Sequence, residues 1–288
     1  MTKQKTTAEI LKGAPVAAAI NDRTMADVET LKQRGITPTL AILRVGERTD
    51  DIAYEQGATK RCEKVGVAVS RTVLPADISQ EALLQQISAL NSDTSIHGIL
   101  MFRPLPKHIN EALVCEAISP VKDVDGITSG SMAGVFSGTD SGFPPCTPKA
   151  CMEILDHYGI ATQGKKAVVV GRSLVVGKPA AMMLLGKHAT VTICHTRTAD
   201  MPAVCREADI LLVAAGRANV VGSAYLSPGQ VVLDVGINTD EDGSLCGDVN
   251  FAQAEHIVAS ITPVPGGVGT VTTSVLVSHV VIAAMRAN

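Results

Sequence analysis

The stretch AVVVGRSLVVGKPAAMMLL, residues 167–185, carries the clearest prediction of structure in this chain's second half. Its first four residues are apolar and mostly β-branched, which predicts a strand buried on both faces. Gly171 and Gly177 bound the turn that follows, and Pro179 stands near the start of a helix, where proline is tolerated. A strand, a glycine turn and a helix form the unit in which N–H groups at a helix N-terminus attract a pyrophosphate.

The turn itself departs from the usual G-x-G-x-x-G pattern. Arg172 and Ser173 stand where the tight glycine pair would be. Any α/β protein also needs a glycine between a strand and a helix, so a plain structural connection is the alternative. If the turn binds a dinucleotide, we expect Gly171, Arg172, Ser173 and Gly177 to contact it.

The next strand, VTICHTRT at residues 191–198, bears on the choice of cofactor. An NAD-binding fold usually carries an acid at the end of its second strand, where it holds the ribose hydroxyls. This strand ends instead in His195, Thr196 and Arg197, with no carboxylate. Arg172 and Arg197 can receive a 2′-phosphate, which predicts NADP. The alternative is that both arginines are simply solvated.

Apolar runs alternate with helical patterns along most of the chain, which predicts an α/β protein with parallel sheets. The predicted strands lie in the first half at 39–46, 67–75 and 96–102, and in the second half at 165–171, 189–195, 208–216 and 230–238. Residues 79–91 predict a helix with Ser79 as its N-cap. Residues 120–148 are rich in Gly, Ser, Pro and Asp and predict a long loop. Helices are predicted from Pro148 and from about Thr270.

Composition excludes several classes of protein. A length of 288 residues predicts two domains. The net charge of −3 and the aromatic content of 2% argue against a nucleic-acid partner. No apolar run is expected to span a membrane, and the polar start MTKQKTTAEILKG does not resemble a secretory signal. The seven cysteines form no C-x-x-C pair, which predicts buried free thiols in a reducing, cytoplasmic compartment and no metal site.

Eight motifs in order give the chain a specific resemblance. They are RPLPKHIN, KDVDGITS, PPCTPKACMEIL, VVVGRSLVVGKP, ATVTICHTRT, VVLDVGIN, GDVNF and TPVPGGVGTVT. Together they resemble the methylenetetrahydrofolate dehydrogenase/cyclohydrolases over nearly the whole chain. The resemblance implies a folate-binding domain at 1–148 plus 270–288 and a Rossmann-type NADP domain at 149–269, with a cleft between them. It also implies a homodimer, while the composition predicts no membrane or nucleic-acid partner.

The resemblance further implies the binding residues. Tyr54 would pack on the pterin and aminobenzoyl part of a tetrahydrofolate derivative, and Asp125 would accept hydrogen bonds from the pterin's N–H groups. On spacing alone, Asp125 could instead cap a turn and Tyr54 could be a half-buried aromatic. The substrate loop would contain Pro265, Gly266, Gly267 and Val268. The expected cofactor-binding residues are Gly171, Arg172, Ser173, Gly177, His195, Thr196, Arg197, Ala215, Gly216, Gly236 and Ile237.

The helix YEQGATKRCEKVG, residues 54–66, departs from the family pattern Y-V-x-x-K-x-K-x-C-E-x-x-G. The family's key lysine position is Ala58, and the position of its glutamine partner is Phe102. Lys60 matches the second lysine but lies about 200° around the helix from position 58. The family's asparagine after DVDG is also missing, and Thr270 replaces a proline.

The two reactions of the family make different demands on these positions. Hydride transfer mainly needs two rings held face to face, whereas hydrolysis needs a positioned ionisable group. We therefore expect an NADP-dependent dehydrogenase, with Tyr54 and Asp125 as its catalytic residues and weak or absent cyclohydrolase activity. Two alternatives stay open: a bifunctional enzyme in which Lys60 or Arg103 replaces the lysine, and a paralogue with altered substrate or no catalysis.

Overall fold

The computed structural model describes residues 7–240 and 242–288. The first six residues, which open the polar N-terminal segment discussed above, lie outside this range. All seven strands predicted from the sequence are present. The strands are β1 Glu9–Ile10, β2 Thr39–Val45, β3 Ala68–Leu74, β4 Gly98–Met101, β5 Lys166–Val170, β6 Thr190–Cys194, β7 Ile210–Val213, β8 Val231–Asp234, β9 Asn238–Thr239, β10 Leu245–Cys246 and β11 Ser260–Ile261.

Helices separate most of these strands, as expected for parallel sheets. The helices are α1 Gly13–Gln33, α2 Thr49–Val65, α3 Gln80–Ser92, α4 Glu111–Glu116, α5 Ser129–Ser137, α6 Cys146–His157, α7 Gly177–Gly186, α8 Met201–Arg206, α9 Phe251–Ala254 and α10 Val268–Ala287. The predicted cap of α3 is confirmed, since the Ser79 hydroxyl accepts a hydrogen bond from the Ala82 N–H.

The chain divides into two compact units, and each is an α/β unit with a parallel sheet. Unit 1 contains the described residues up to Ala17 and Thr147–Thr272, and unit 2 contains Ala18–Cys146 and Thr273–Asn288. This division differs from the expected one at the N-terminus. The reason is β1, whose residues pair in parallel with Ser260 and Ile261 of β11 in unit 1.

The sheet of unit 1 has six parallel strands in the order β1-β11-β8-β7-β5-β6. Its central strands are almost completely buried, and side chains such as Val168, Leu211 and Val232 belong to one apolar cluster. The chain runs from β5 outward to β6 and then returns to β7 on the other side of β5. The strand order therefore reverses at β5, and open α/β sheets bind their ligands at such a switch point.

The sheet of unit 2 has three parallel strands in the order β3-β2-β4. Ala41, Leu43 and Ile99 are buried in an apolar cluster on this sheet. Because β2 and β4 are parallel neighbours, the segments that follow Val45 and Met101 leave the sheet at the same edge. Helix α2 begins at that edge and ends at Gly66, whose φ of 87° is the left-handed conformation typical of a glycine C-cap.

Residues 120–148 are not one continuous loop, so that prediction was wrong. Helix α5 lies inside the segment, and its N-cap Thr128 accepts a hydrogen bond from the Ser131 N–H. The buried Asp123 carboxylate accepts four hydrogen bonds: from the Ile127 N–H, from the N–H and hydroxyl of Thr128, and from the Ser131 hydroxyl. These bonds stabilise a helix start that the Gly- and Ser-rich composition conceals.

Helix α10 corrects the expectation that no apolar run of the chain is long enough to span a membrane. Its 20 residues are long and apolar enough to cross a membrane by length and composition alone. Most of the helix is buried in the protein, and the core helices of globular proteins pass the same test.

Removing the Asp123 carboxylate is expected to destabilise the protein. Asp123→Ala leaves the buried donors of residues 127, 128 and 131 without an acceptor, which costs on the order of 3 kcal/mol in the free energy of unfolding. Urea unfolding followed by circular dichroism measures the change. The matched control is Asp140→Ala, because the Asp140 side chain is 97% exposed and pairs with Arg286 only at 3.4 Å. Equal stability of the two variants would contradict this role of Asp123.

Candidate active site

Unit 2 has a cavity of about 300 Å³ at the carboxyl edge of its sheet. The start of α2, the end of β4 and the segment around Asp125 form its wall. The lining residues are Arg48, Asp50, Asp51, Tyr54, Leu100, Met101, Phe102, Arg103 and Asp125. The structure therefore brings together Tyr54, Phe102 and Asp125, which the sequence placed in three separate segments.

Tyr54 and Phe102 form the aromatic part of the wall. Their ring centroids lie 5.8 Å apart at an interplanar angle of 81°, an edge-to-face contact that is favourable for aromatic rings. Tyr54 is 41% exposed, so part of its side chain is open to a ligand. Burial of the rest raises the pKa of its hydroxyl, and the nearby Cys146 and Asp125 raise it further. Tyr54 is therefore a hydrogen-bonding phenol and not a base.

The two acids of the KDVDG motif have different surroundings. Asp123 is fully buried, and its four hydrogen bonds make it the acid that organises the turn. Asp125 is half-buried and lines the cavity. The turn-capping role considered for Asp125 therefore belongs to Asp123, and the Asp125 carboxyl is available to a ligand.

The surroundings of Asp125 in the cavity also change the pKa of its carboxyl. Burial raises the pKa of its carboxyl to about 6, while the positive charge of Arg103 acts in the opposite direction. Asp123 raises this pKa further, and a hydrogen bond with Cys146 lowers it. Asp125 thus changes its protonation state close to neutral pH, unlike an ordinary aspartic acid.

Helix α2 presents Ala58 and Lys60 on different faces. Ala58 is 0% exposed, and it is not one of the cavity-lining residues. Lys60 is exposed to solvent, as its rotation from position 58 predicts. No lysine or histidine lines the cavity among the described residues.

An ion-pair cluster that the sequence did not reveal anchors α2 to its sheet. Glu55 accepts a hydrogen bond from Arg44 of β2 at 2.9 Å and pairs with Arg71 of β3 at 3.2 Å. Arg71 also donates to the Thr59 hydroxyl. Because Glu55 adjoins Tyr54 in the chain, this cluster fixes the orientation of the helix turn that carries the tyrosine.

The expected cofactor residues of unit 1 share one edge of the six-stranded sheet. Gly171, His195, Ala215 and Gly236 each follow closely after the carboxyl end of β5, β6, β7 or β8. These four strands are parallel neighbours, so their ends meet at the same edge, and β5 is the switch point.

The turn after β5 is built for close backbone packing. Gly171 has a φ of 132°, and a Cβ atom there would lie 2.3 Å from the Ala214 carbonyl oxygen. A Cβ at Gly177 would lie 2.2 Å from the Gly171 carbonyl oxygen. The Ser173 hydroxyl accepts from the N–H groups of Val176 and Gly177 at 3.1 and 3.4 Å. The N–H groups of the N-cap Val176 and of the first α7 residue, Gly177, therefore have a partner inside the turn.

Arg172 and Arg197 are both exposed at this edge, with Thr196 beside the second. Within the part of the chain that the structure describes, neither guanidinium makes a side-chain hydrogen bond or ion pair. The turn that carries Arg197 is fixed by two bonds, since the His195 N–H donates to the Thr198 hydroxyl and the Arg197 N–H to the His195 ring. Both cations are thus available to a ligand.

Two buried aspartates organise the rest of this edge. Asp248 accepts hydrogen bonds from the N–H groups of Ala215, Gly216 and Arg217 and from the Asn238 amide. Asp234 accepts from the N–H groups of residues 236, 248 and 249. Burial raises the pKa of Asp234 to about 6 in spite of these donors. The sequence signal for both acids was present in the motifs VVLDVGIN and GDVNF.

The loop after β11 borders a second cavity, of about 210 Å³, in unit 1. Its wall contains Gly236, Ile237 and the expected substrate loop Pro265, Gly266, Gly267 and Val268. Gly266 has a φ of 99°, and a Cβ at Gly267 would lie 2.4 Å from the Pro263 carbonyl oxygen. The two glycines are therefore required by the backbone itself.

The fold defines a class of proteins with two α/β units, each built on a sheet of parallel strands. In one unit the strand order reverses at a switch point, as in a Rossmann-type domain. Residues 11–125 match the family described as tetrahydrofolate dehydrogenase/cyclohydrolase, catalytic domain, and residues 145–288 match its NAD(P)-binding domain. The chain belongs to the tetrahydrofolate dehydrogenase/cyclohydrolase family.

Individual relatives agree with this assignment. The chain is 55% identical over 276 residues to the bifunctional protein FolD of Carboxydothermus hydrogenoformans, covering 95% of this chain and 96% of the relative. The crystal structure of the bifunctional FolD enzyme from Campylobacter jejuni has a TM-score of 0.94 and 40% identity and covers 97% of this chain and 99% of that one. The Trypanosoma brucei FolD structure, complexed with NADP cofactor and inhibitor, has a TM-score of 0.89 and 34% identity and covers 97% and 98%.

The raised pKa of Asp125 predicts that the stability difference between the wild type and Asp125→Asn depends on pH. Its pKa is about 6 in the folded protein against 3.8 ordinarily, so the folded state binds this proton more tightly. The resulting stabilisation is present below pH 4 and is lost as the pH rises through 6. We expect the free energy of unfolding of the wild type, relative to Asp125→Asn, to fall by about 2 kcal/mol between pH 4 and pH 8. A pH-independent difference in urea unfolding would contradict the shift.

Proposed function

We propose that the protein is an NADP-dependent methylenetetrahydrofolate dehydrogenase with weak or no cyclohydrolase activity. One observation carries the proposal: the cavity wall of unit 2 includes Tyr54 and Asp125 but no amine, because Ala58 is buried outside the wall and Phe102 forms part of it. The family resemblance assigns the lysine and glutamine of bifunctional enzymes to these two positions.

The cavity residues suit a tetrahydrofolate derivative. The Asp125 carboxylate can accept two hydrogen bonds at once from the amino and ring N–H groups of a pterin. Tyr54 and Phe102 offer aromatic surface to its rings. The phenol of Tyr54 keeps its proton, so it donates or accepts a hydrogen bond without becoming a competing base.

The carboxyl edge of the unit 1 sheet suits NADP. Arg172 and Arg197 are exposed cations that can hold a 2′-phosphate, and Gly171 lies at the switch point. Ala215, Gly216, Gly236 and Ile237 would border the cofactor, and their turn is held by Asp248 and Asp234. When bound, NADP supplies the carbon that accepts a hydride.

The residues that line the unit 2 cavity suit one reaction of the family better than the other. For oxidation, the chain must bind the folate, orient it and exclude water, and Tyr54, Phe102 and Asp125 are suited to these tasks. For hydrolysis, it must also move protons to and from an attacking water. Burial raises the pKa of Asp125 to about 6, and we assign this group to substrate binding.

The alternative of a substitute catalytic group is less well supported. Lys60 is exposed on another face of α2. Arg103 does line the cavity, but a guanidinium keeps its protons in proteins and supplies no general base. An altered substrate is the other alternative, and it rests on Phe102 and on the remodelled segment that contains α5. Homodimer formation and a cytoplasmic location stay predictions.

The central test supplies 5,10-methenyltetrahydrofolate and follows its loss by absorbance, beside NADP reduction with 5,10-methylenetetrahydrofolate. We expect NADP reduction, with no enzyme-accelerated hydrolysis, because a missing general acid or base costs on the order of 10²–10⁴ in rate. Hydrolysis at a rate comparable to NADP reduction would contradict the proposal. Binding of NADP without any folate binding in calorimetry would favour the altered-substrate alternative.

Placing the family's lysine at position 58 and its glutamine at position 102 is expected to restore hydrolysis. The double variant Ala58→Lys/Phe102→Gln places an amine beside an amide partner, so we expect methenyl hydrolysis at least about tenfold above wild type. Phe102→Gln alone is the control, since it opens the same wall without adding an amine. Equal hydrolysis by the double and single variants, both folded, would contradict the role given to these positions.

The preference for NADP depends on Arg197. Arg197→Ala would remove a charged contact to the 2′-phosphate, so KM for NADP should rise roughly 10-fold or more while KM for NAD, which has no 2′-phosphate, stays unchanged. Lys165→Ala is the matched control, because it removes one exposed charge just before β5, at the opposite edge of the same sheet. An unchanged KM for NADP would exclude Arg197 from cofactor recognition.

A further inference from the structure

Asp51, in the first turn of α2, is a largely buried acid with no side-chain partner among the described residues. It is 7% exposed and lines the unit 2 cavity. Among residues 7–240 and 242–288, no hydrogen bond or ion pair involves its side chain. The other buried aspartates, Asp123, Asp234 and Asp248, each accept at least three hydrogen bonds.

Both carboxylate oxygens of Asp51 keep some solvent exposure, so the group lies open to the cavity and is not sealed inside the protein. Its position in the first turn of a helix favours a negative charge. A ligand that enters the cavity with a positive charge or an N–H donor can therefore pair with this acid.

Two cations also line the wall. Arg48 donates to the Pro104 carbonyl oxygen at 3.4 Å. Arg103 is close enough to Asp125 to lower the pKa of that carboxyl. Neither forms an ion pair with Asp51 in the part of the chain that the structure describes, so the acid stays available to a ligand.

The geometry points to Asp51 as an electrostatic catalytic residue that stabilises the positive charge formed on the substrate during oxidation. This inference rests on the proposed function. A C–H bond of the methylene bridge breaks, and its electron pair leaves with the hydrogen as hydride to the oxidised nicotinamide. The nicotinamide loses its positive charge, and the N–C–N bridge of the folate gains one. A carboxylate in the wall favours that transfer.

The positions on α2 fit this role. Asp51, Tyr54 and Ala58 are spaced by three and four residues, so they lie along one face of the helix. Asp51 and Tyr54 both line the cavity. A cationic amine on this face would repel the same positive charge. The face of this chain instead presents an acid and a neutral phenol, which suits formation of the cation more than its hydrolysis.

The test is Asp51→Asn, which keeps the shape of the side chain and removes its charge. Two readouts are needed: kcat/KM for oxidation, and the dissociation constants of cationic 5,10-methenyltetrahydrofolate and of tetrahydrofolate, which has no charged bridge. We expect kcat/KM to fall and methenyl binding to weaken by at least about tenfold, with tetrahydrofolate binding changed less than about twofold. Without ligand, the variant should unfold at about the wild-type temperature, because no protein hydrogen bond to the carboxylate is lost.

Glu81→Gln is the matched control. It makes the same acid-to-amide change in the first turn of α3, at an exposed residue outside the cavity, and should leave both readouts at wild-type values. Equal weakening of both ligands, a variant that fails to fold, or wild-type behaviour of Asp51→Asn would each overturn the inference. If the wild type binds folates and reduces NADP while Asp51→Asn does so equally well, only this inference fails. If the wild type does neither, the proposed function fails as well.

Discussion

Hydrogen bonding between parallel strands determines where both groups of proposed site residues lie. In each unit, neighbouring strands run in the same direction, so the segments that leave their carboxyl ends meet at one edge. In unit 2 this edge collects Tyr54, Phe102 and Asp125 from three distant parts of the sequence. In unit 1 it collects the turns after β5, β6, β7 and β8. The rest of the structure, including the buried aspartates that bind turn N–H groups, holds these segments in place.

We propose that the charges of the unit 2 cavity favour one of the two reactions of the family. Hydride transfer moves a positive charge onto the folate, and the described wall contains three acids against two arginines: Asp50, Asp51 and Asp125, with Arg48 and Arg103. Hydrolysis of the resulting cation requires a group that moves protons at the attacking water. At the positions where the family resemblance implies a lysine and a glutamine, the chain has a buried methyl group at Ala58 and an aromatic ring at Phe102. In this proposal the two substitutions weaken hydrolysis and leave hydride transfer supported.

Much of the fold could be predicted from the sequence, because strands buried on both faces appear as unbroken apolar runs. The two-residue strand β1 could not, since its partner β11 lies about 250 residues away and the segment has no local signal. Helix α5 was hidden by Gly and Ser and depends on hydrogen bonds to Asp123. For the proposed site, the motifs predicted Tyr54 and Asp125, which line one cavity in the structure. The position of Asp51 in the same wall depends on packing, which no sequence pattern reveals.

We propose that oxidation by this protein stops at the methenyl product. This can be measured as the product ratio when the enzyme oxidises a limited amount of 5,10-methylenetetrahydrofolate with excess NADP, in a buffer where spontaneous hydrolysis is slow. We expect 5,10-methenyltetrahydrofolate to accumulate in a one-to-one ratio with NADPH. Appearance of 10-formyltetrahydrofolate at the rate of NADPH formation, with no accumulation of the methenyl compound, would contradict it.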